Sequence, residues 1–365
     1  MLRRHFLIAP LLASILASPV EAQSPQPAGY PGDYASIVSA SRDEKDLVVY
    51  SNLQVSNWKD ALAGFGRLYP WIEVKIVDLG AETFERYYAE SATGGRGADL
   101  IVSGGADSWI EFVGKGGALP YASPETPSLP AWSVPYPGVY TLAVDPAVIV
   151  YNKRVIPEKD APRSLHGIAD LLAKRPDLKN RLSTQNVAVP FGRAAQWSWA
   201  QHNKDAWTVF GALGPSTRPE RAVGTIIEKI TTGEYAMAWF VNASALFDKL
   251  RDPARRSLIG WSFIEDGTPL VPRRLAIPAT SRHSAAAKLM LDYLVSRAGQ
   301  TAMGATGVTS YRPDVQKGEV LDYTYQSIVD EAGAANVALE QDDQAYAKGR
   351  DAFVARWRET FNQSK

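Results

Sequence analysis

The sequence predicts an α/β protein built on parallel strands, and three observations carry that expectation. LVVYS (residues 47–51) and ADLIVSGG (98–105) are continuous apolar runs closed by polar or glycine residues, the pattern of strands buried on both faces. WKDALAGFGRLY (58–69) and AETFERYYAES (81–91) place apolar residues at helical spacing between those runs. The alternation strand, helix, strand, helix, strand, helix is that of a parallel sheet with crossover helices.

The elements follow in order. WIEVKIVDL (71–79) alternates and reads as the second strand, and Pro70 ends the helix before it. SWIEFVGKG (108–116) begins the helix after the third strand. A Pro-rich surface connection spans 120–137 and carries Trp132 and Tyr136, with Tyr140 just beyond. VIVYNKRVIPEKDAPRSLHGIADLL (148–172) gives a strand, a stiff gap and a helix opened by Ser164. NVAVPFG (186–192) reads as a short strand into a turn. Residues 194–210 form a Trp-rich helix, and 221–231 another. YAMAWFVN (235–242) is a strand, followed by a helix near 243–250. WSFIEDGTPLVPRRLAIPA (261–279) reads as two strands broken at Asp266-Gly267. SAAAKLMLDYLVSRAGQTAMGAT (284–306) is one long helix with Ser284 placed to cap it. The tail beyond 340 is an amphipathic helix. Trp197 and Trp199 are two apart on a helix and cannot share a face.

The first residues, MLRRHFLIAPLLASILASPVEAQS, have two arginines, a short apolar run and small residues at Val20-Glu21-Ala22. That is the layout of a signal peptide, residues 1–22, followed by a leader over 23–44 that is loose as far as Asp33 and reads as a short helix through Tyr34–Arg42. The run is too short to span a bilayer comfortably. Export to the periplasm is the expectation. Arg3-Arg4 leaves the twin-arginine route open beside the general one. Past Ala22 the chain keeps 37 basic and 38 acidic residues, so it carries no basic footprint for nucleic acid and no polybasic membrane patch. It contains no cysteine, which removes disulfides, thiolate metal sites and a cysteine nucleophile. There is no G-x-S-x-G elbow, no H-E-x-x-H and no P-loop, and no cofactor is expected. His166, His202 and His283 read as surface or cap residues rather than catalytic bases. An exported lyase or hydrolase is the less favoured alternative to a binding protein.

Several segments together resemble the periplasmic solute-binding proteins of ABC importers, in the type II cluster that also holds the ferric-ion binding proteins. They are LVVYSN, GGRGADLIVSGG, VIVYNKRVIPEKDAPRSLHGIADLL, TTGEYAMAWFVNASA and AAAKLMLDYLVSRAGQTAM. The resemblance rests on Tyr151-Asn152, Pro162, Ser164 and Asp170-Leu171-Leu172, on Gly233–Ala236, and on Gly299-Gln300. It implies two α/β lobes joined by two crossover strands, with the ligand in the cleft between them. Lobe 1 would comprise 45–143 and 273–338, lobe 2 would comprise 147–268, and 339–365 would pack on them as a C-terminal helix. The partners it implies are a small solute and an ABC permease, with the chain acting as a monomer. A sensor role facing a membrane receptor is not separable from import in the sequence.

Ligands of open α/β sheets bind beyond the carboxyl ends of strands, where helix N-termini favour anions. Three such exits are candidate site positions: Ser51 and Asn52; Ser103, Gly104 and Gly105; and Arg193, whose guanidinium could hold a carboxylate or phosphate bidentately. Asn242 ends the strand YAMAWFVN and could touch ligand or cap a helix. Tyr140 could join Trp132 and Tyr136 in an apolar wall, or pack the long loop onto its lobe. The expected solute is a small anion, phosphorylated, phosphonate or carboxylate. Iron binding with a synergistic anion is the alternative. The ferric-ion binders' two tyrosines are replaced here by Ala243-Ser244, and their Glu by Gly104-Gly105, so the phenolate and carboxylate oxygens that Fe(III) prefers are missing at those places.

Overall fold

In a computed structural model, residues 26–363 are described apart from 28, 96 and 342–343; the expected signal peptide lies outside the described residues. The first half runs α1 (Tyr34–Glu44), β1 (Asp46–Ser51), α2 (Lys59–Leu68), β2 (Glu73–Asp78), α3 (Thr83–Ala92), β3 (Leu100–Gly104) and α4 (Ala106–Gly114). β1 pairs in parallel with β2 and β3, as the buried apolar runs require. The connection over 120–137 holds only short 3-10 turns.

β4 (Val139–Asn152) is 14 residues long and buried throughout. It leads to α5 (Leu165–Lys174), β5 (Leu182–Gln185), α6 (Pro190–His202), α7 (Ala206–Leu213), β6 (Thr217–Glu220), α8 (Val223–Thr232), β7 (Met237–Asn242), α9 (Ala243–Leu250), α10 (Pro253–Leu258) and β8 (Ile259–Ser262). The chain returns through β9 (Thr268–Ala276) to α11 (Ser284–Val295) and α12 (Arg297–Gly304), and ends with α13 (Tyr325–Ala332), β10 (Val337–Leu339) and α14 (Gln344–Thr360).

The strand order is β2-β1-β3-β9-β4-β7-β5-β6, with β8 on β4 and β10 on β9. Two strands join the halves of this curled sheet. β4 pairs with β9 over Val139–Pro146, then with β7 and β8 over its last residues. β9 pairs with β3 at one end and β10 at the other. These are the two crossover strands of the two-lobed architecture, and the break before the second falls at Asp266-Gly267 as expected.

Three elements differ from the sequence reading in their bounds or caps. The second-lobe strand is LSTQ, not NVAVPF: Pro190, lacking an N–H, starts α6 instead of ending a strand. The long Trp-rich helix is interrupted at Asn203, giving α6 and α7. The late helix is also two, because Ser296 leaves the helical region at ψ 163 and its side chain accepts from Gly299 N to start α12. Ser284 does not cap α11; the Glu44 carboxylate accepts from Ala285 and Ala286 N and takes that place from α1.

The core divides with the sheet. Trp58, Phe65, Leu142, Leu289 and Met290 centre one cluster around β1, β3 and α11. Trp199, Phe210, Trp239 and Phe240 centre another around β5, β7 and α6, and α14 adds Tyr346, Phe353 and Trp357 to it. Trp197 and Trp199 are both buried but on opposite sides: Trp197 meets Tyr346 and Phe353, Trp199 meets Phe210 and Phe240. Past α12 the chain crosses once more. Leu321 N is still bonded to Gly304 O, whereas Tyr323, Tyr325 and Ile328 pack on the cluster of Val148, Ile226 and Phe247. Among the described residues no helix is long and apolar enough to cross a membrane.

Candidate functional site: a polar cleft between the lobes

A cavity of about 550 Å³ lies between the two halves. Its walls come from strand ends and helix starts of both lobes. The turn after β1 supplies Asn52, Gln54 and Asn57, and the turn after α12 supplies Thr306 and Gly307. From the other lobe come Gln185 at the end of β5, Val223 and Gly224 at the start of α8, and Asn242 and Ser244 at the end of β7. Arg273 reaches it from crossover strand β9.

Arg273 is the side chain that sequence reasoning missed. It is 9% exposed, and two neighbours hold it. Nη2 donates to the Asp145 carboxylate at 2.6 Å, Nη1 donates to Asn52 Oδ1, and Nε has no protein acceptor among the described residues. Asp145 lies on β4, so the ion pair ties the two crossover strands together where they border the cleft. Gln185 Oε1 is a second buried atom with no partner among the described residues. The lining side chains include three cations, Arg273, Lys249 and Arg251, and one carboxylate, Asp248. Lys249 pairs with Asp248 and Arg251 with Asp322.

Two helix starts face this space. α9 is already capped: Asn242 Oδ1 accepts from Ala245 N at 3.0 Å and from Ser244 Oγ at 2.7 Å. α8 is not, since the residue before it, Ala222, has no side-chain acceptor. Its first-turn N–H groups and the positive end of its dipole point towards the lining at Val223 and Gly224. Neutral amides and hydroxyls from Asn52, Gln54, Asn57, Gln185, Asn242, Ser244 and Thr306 complete the walls. Such a surface offers hydrogen bonds to a polar solute.

The expected site residues distribute unevenly over this geometry. Asn52 and Asn242 line the cleft. Ser51 is fully buried beneath it, its Oγ accepting from Leu53 N. Ser103 turns its Oγ to Gly104 O and does not line the cleft. Gly104 sits behind Asn52, where an added Cβ would stand 3.9 Å from Asn52 Nδ2. Gly105 has φ 103°, and an added Cβ would lie 2.9 Å from Pro190 Cβ, so it is a contact between the lobes. Arg193, expected to hold the anion, is occupied otherwise: Nε and Nη2 donate to Asp107 Oδ2 and Nη1 to Val187 O. Tyr140 is 1% exposed, donating to Tyr121 O and accepting from Ser123 N. It packs the long loop onto its own lobe. Trp132 packs against Tyr311 of the same lobe and against Tyr325, where the chain passes to the other lobe.

His166 is held away from the cleft lining. Burial lowers its affinity for a proton, but hydrogen bonds to Asp205 and Asp266 outweigh this and raise it. Its ring nitrogens bridge those two carboxylates at 2.9 and 2.7 Å, tying α5 to the turn before β9.

Two α/β lobes hinged on paired crossover strands, with a polar cleft at their strand ends, define a ligand-binding protein of the clamshell kind. The chain belongs to the bacterial extracellular solute-binding proteins, whose family model matches residues 51–301. That membership implies a solute, an ABC permease and an extracytoplasmic location. No curated protein matches the chain by sequence. Among solved structures it is similar to the substrate-binding protein of an ABC transporter from Agrobacterium tumefaciens, at 21% identity and TM-score 0.74 over 87% of this chain and 94% of that one. It is also similar to apo ferric ion-binding protein A of Pasteurella haemolytica, at 16% identity and TM-score 0.68 over 88% and 99%. A third is AfuA of Actinobacillus pleuropneumoniae with fructose-6-phosphate bound, at 16% identity and TM-score 0.62 over 87% and 99%.

Proposed function

We propose that this protein binds a small hydroxylated organic anion in the interlobe cleft and delivers it, unaltered, to an ABC permease in the inner membrane. The observation that carries this reading is Arg273, a buried guanidinium that lines the cleft together with the uncapped start of α8 and neutral amides and hydroxyls. A guanidinium and a helix start suit an anionic group. The amides suit hydroxyls. The volume exceeds what a bare inorganic oxyanion fills and matches a small-molecule pocket of roughly 300–1,000 Å³. The sugar phosphate bound by the similarly folded AfuA is a ligand of this kind.

Iron binding is the second reading, because ferric ion-binding proteins share this fold. The chemistry of the lining favours the organic anion: Asp248 is the sole carboxylate among the described lining residues and is paired with Lys249, and no phenol lines the cleft there.

In this reading lobe 1 comprises 45–143 and 273–322, and lobe 2 comprises 147–268 and 323–363. The passage to the second lobe at 323, earlier than the expected end of lobe 1 at 338, follows the packing of Tyr323, Tyr325 and Ile328. The protein acts as a monomer in the periplasm after loss of residues 1–22. Isothermal titration with a sugar phosphate, the matching neutral sugar, inorganic phosphate and ferric citrate tests it. Binding of the sugar phosphate, lost by about 30-fold or more in the charge-neutral double variant Arg273→Met/Asp145→Asn, is the expected outcome. Binding of the ferric probe alone overturns it.

A further inference from the structure

We propose that Asp107 is a positioning residue that sets ligand affinity by holding the two lobes together before any ligand arrives, through Arg193 and Arg350 of the opposite lobe. Asp107 stands in the first turn of α4, in lobe 1. Both of its carboxylate oxygens are taken from across the divide. Oδ2 accepts from Nε and Nη2 of Arg193 on α6, and Oδ1 accepts from Nη1 of Arg350 on α14 at 3.0 Å. Arg193 Nε also donates to Tyr346 OH at 3.2 Å. The Arg193 and Asp107 side chains are only 17% and 16% exposed, so the pair is poorly screened by water.

The surrounding packing makes the contact specific. Gly105, two residues before Asp107, touches Pro190, the first residue of α6, so closely that a Cβ would stand 2.9 Å from it. The lobes therefore meet backbone to side chain beside the ion pair. α14 is seated equally tightly: at Gly349 a Cβ would lie 2.6 Å from the Trp197 ring, and Tyr346 and Phe353 both meet that ring edge-on. Arg350 follows Gly349, so the seating of the helix aims its guanidinium at lobe 1. The C-terminal helix is thus part of the closure device rather than a passive cover.

The consequence follows from linkage. A ligand that needs both lobes binds the closed population, and its apparent affinity scales with the fraction already closed. Asp107 raises that fraction while touching no ligand. It also explains why Arg193 is unavailable for an anion.

The test needs no ligand, so its failure is distinguishable from failure of the proposed solute class. The chain has no cysteine, so labels can be placed freely. Spin labels at Lys59→Cys and Arg221→Cys, both exposed and flanking the cleft mouth, report the interlobe distance by double electron–electron resonance. In the otherwise unaltered chain one short distance is expected to dominate. Asp107→Asn should add a longer distance and shift the open-to-closed ratio by at least about tenfold, and Arg350→Gln should shift it the same way by less. Asp107→Glu should restore the short distance. The proposal is overturned if both variants, folded by circular dichroism, overlay the parent distribution, or if the parent already shows mainly the long distance. Should Asp107→Asn fail to fold, Arg350→Gln alone decides.

Discussion

Arg273 shows what one residue carries in this fold. Its charge is buried next to Asp145, and neither group could be there without the other. Arg273→Met alone leaves the Asp145 carboxylate, 4% exposed, without its cation, and a loss of about 3–5 kcal/mol is expected in urea unfolding. Adding Asp145→Asn should recover most of that stability but none of the binding. The sequence shows Arg273 beside Arg274 in an apolar run but gives no sign of which one borders a cleft, because Asp145 is 128 positions away. The engagement of Arg193 by Asp107 was hidden for the same reason, since the two are 86 positions apart. The positions of Asn52 and Asn242 at strand ends beside the cleft were legible because they are local information. Asp292 makes a separate point. It is buried, accepts from Tyr34 and Tyr121 hydroxyls, and burial pushes its carboxyl from the ordinary 3.8 up to about 6. The folded state therefore holds this proton more tightly than the unfolded chain, and stability falls as pH rises between about 4 and 6. Asp292→Asn should flatten that slope in thermal melts and raise stability at pH 7 by up to about 3 kcal/mol.

At the scale of elements, the helix α5 was legible throughout. Ser164 sits in extended geometry and its Oγ accepts from Gly167 N at 2.9 Å, as the Pro-rich approach and the following apolar spacing required. Ser164→Ala should cost about 1 kcal/mol of stability with no change in ligand preference. The start of α11 was not legible, since its cap is Glu44, supplied by a distant helix rather than by the adjacent Ser284. The β5 strand was misplaced because VAV outranks LSTQ in apolarity, while the position of Pro190 in α6 decides the boundary. Gly105→Ala acts between elements. The φ of 103° disfavours any side chain, and the new methyl would strike Pro190. A loss of about 1–3 kcal/mol is expected, accompanied by a larger radius of gyration in small-angle scattering.

For the whole molecule, the succession of strands and helices along the chain was readable because each apolar run is written locally, whereas the two crossings came from the resemblance to the solute-binding proteins and the order of strands in the sheet came from the structure. The third crossing near Tyr323 and the docking of α14 were not, since both depend on aromatic contacts between segments far apart in the chain. Those contacts place the C-terminal residues on lobe 2, where Arg350 meets Asp107, and the cleft opens beside them. The proposed function rests on one arrangement: a buried cation and an uncapped helix start lining one interlobe cavity among neutral amides. Native mass spectrometry of the freshly purified protein, followed by release and weighing of whatever it carries, addresses this most directly. The expected result is a single acidic, hydroxylated small molecule that is absent from the Arg273→Met/Asp145→Asn variant. A retained iron ion, or a basic molecule carried equally by the parent and the variant, would contradict it.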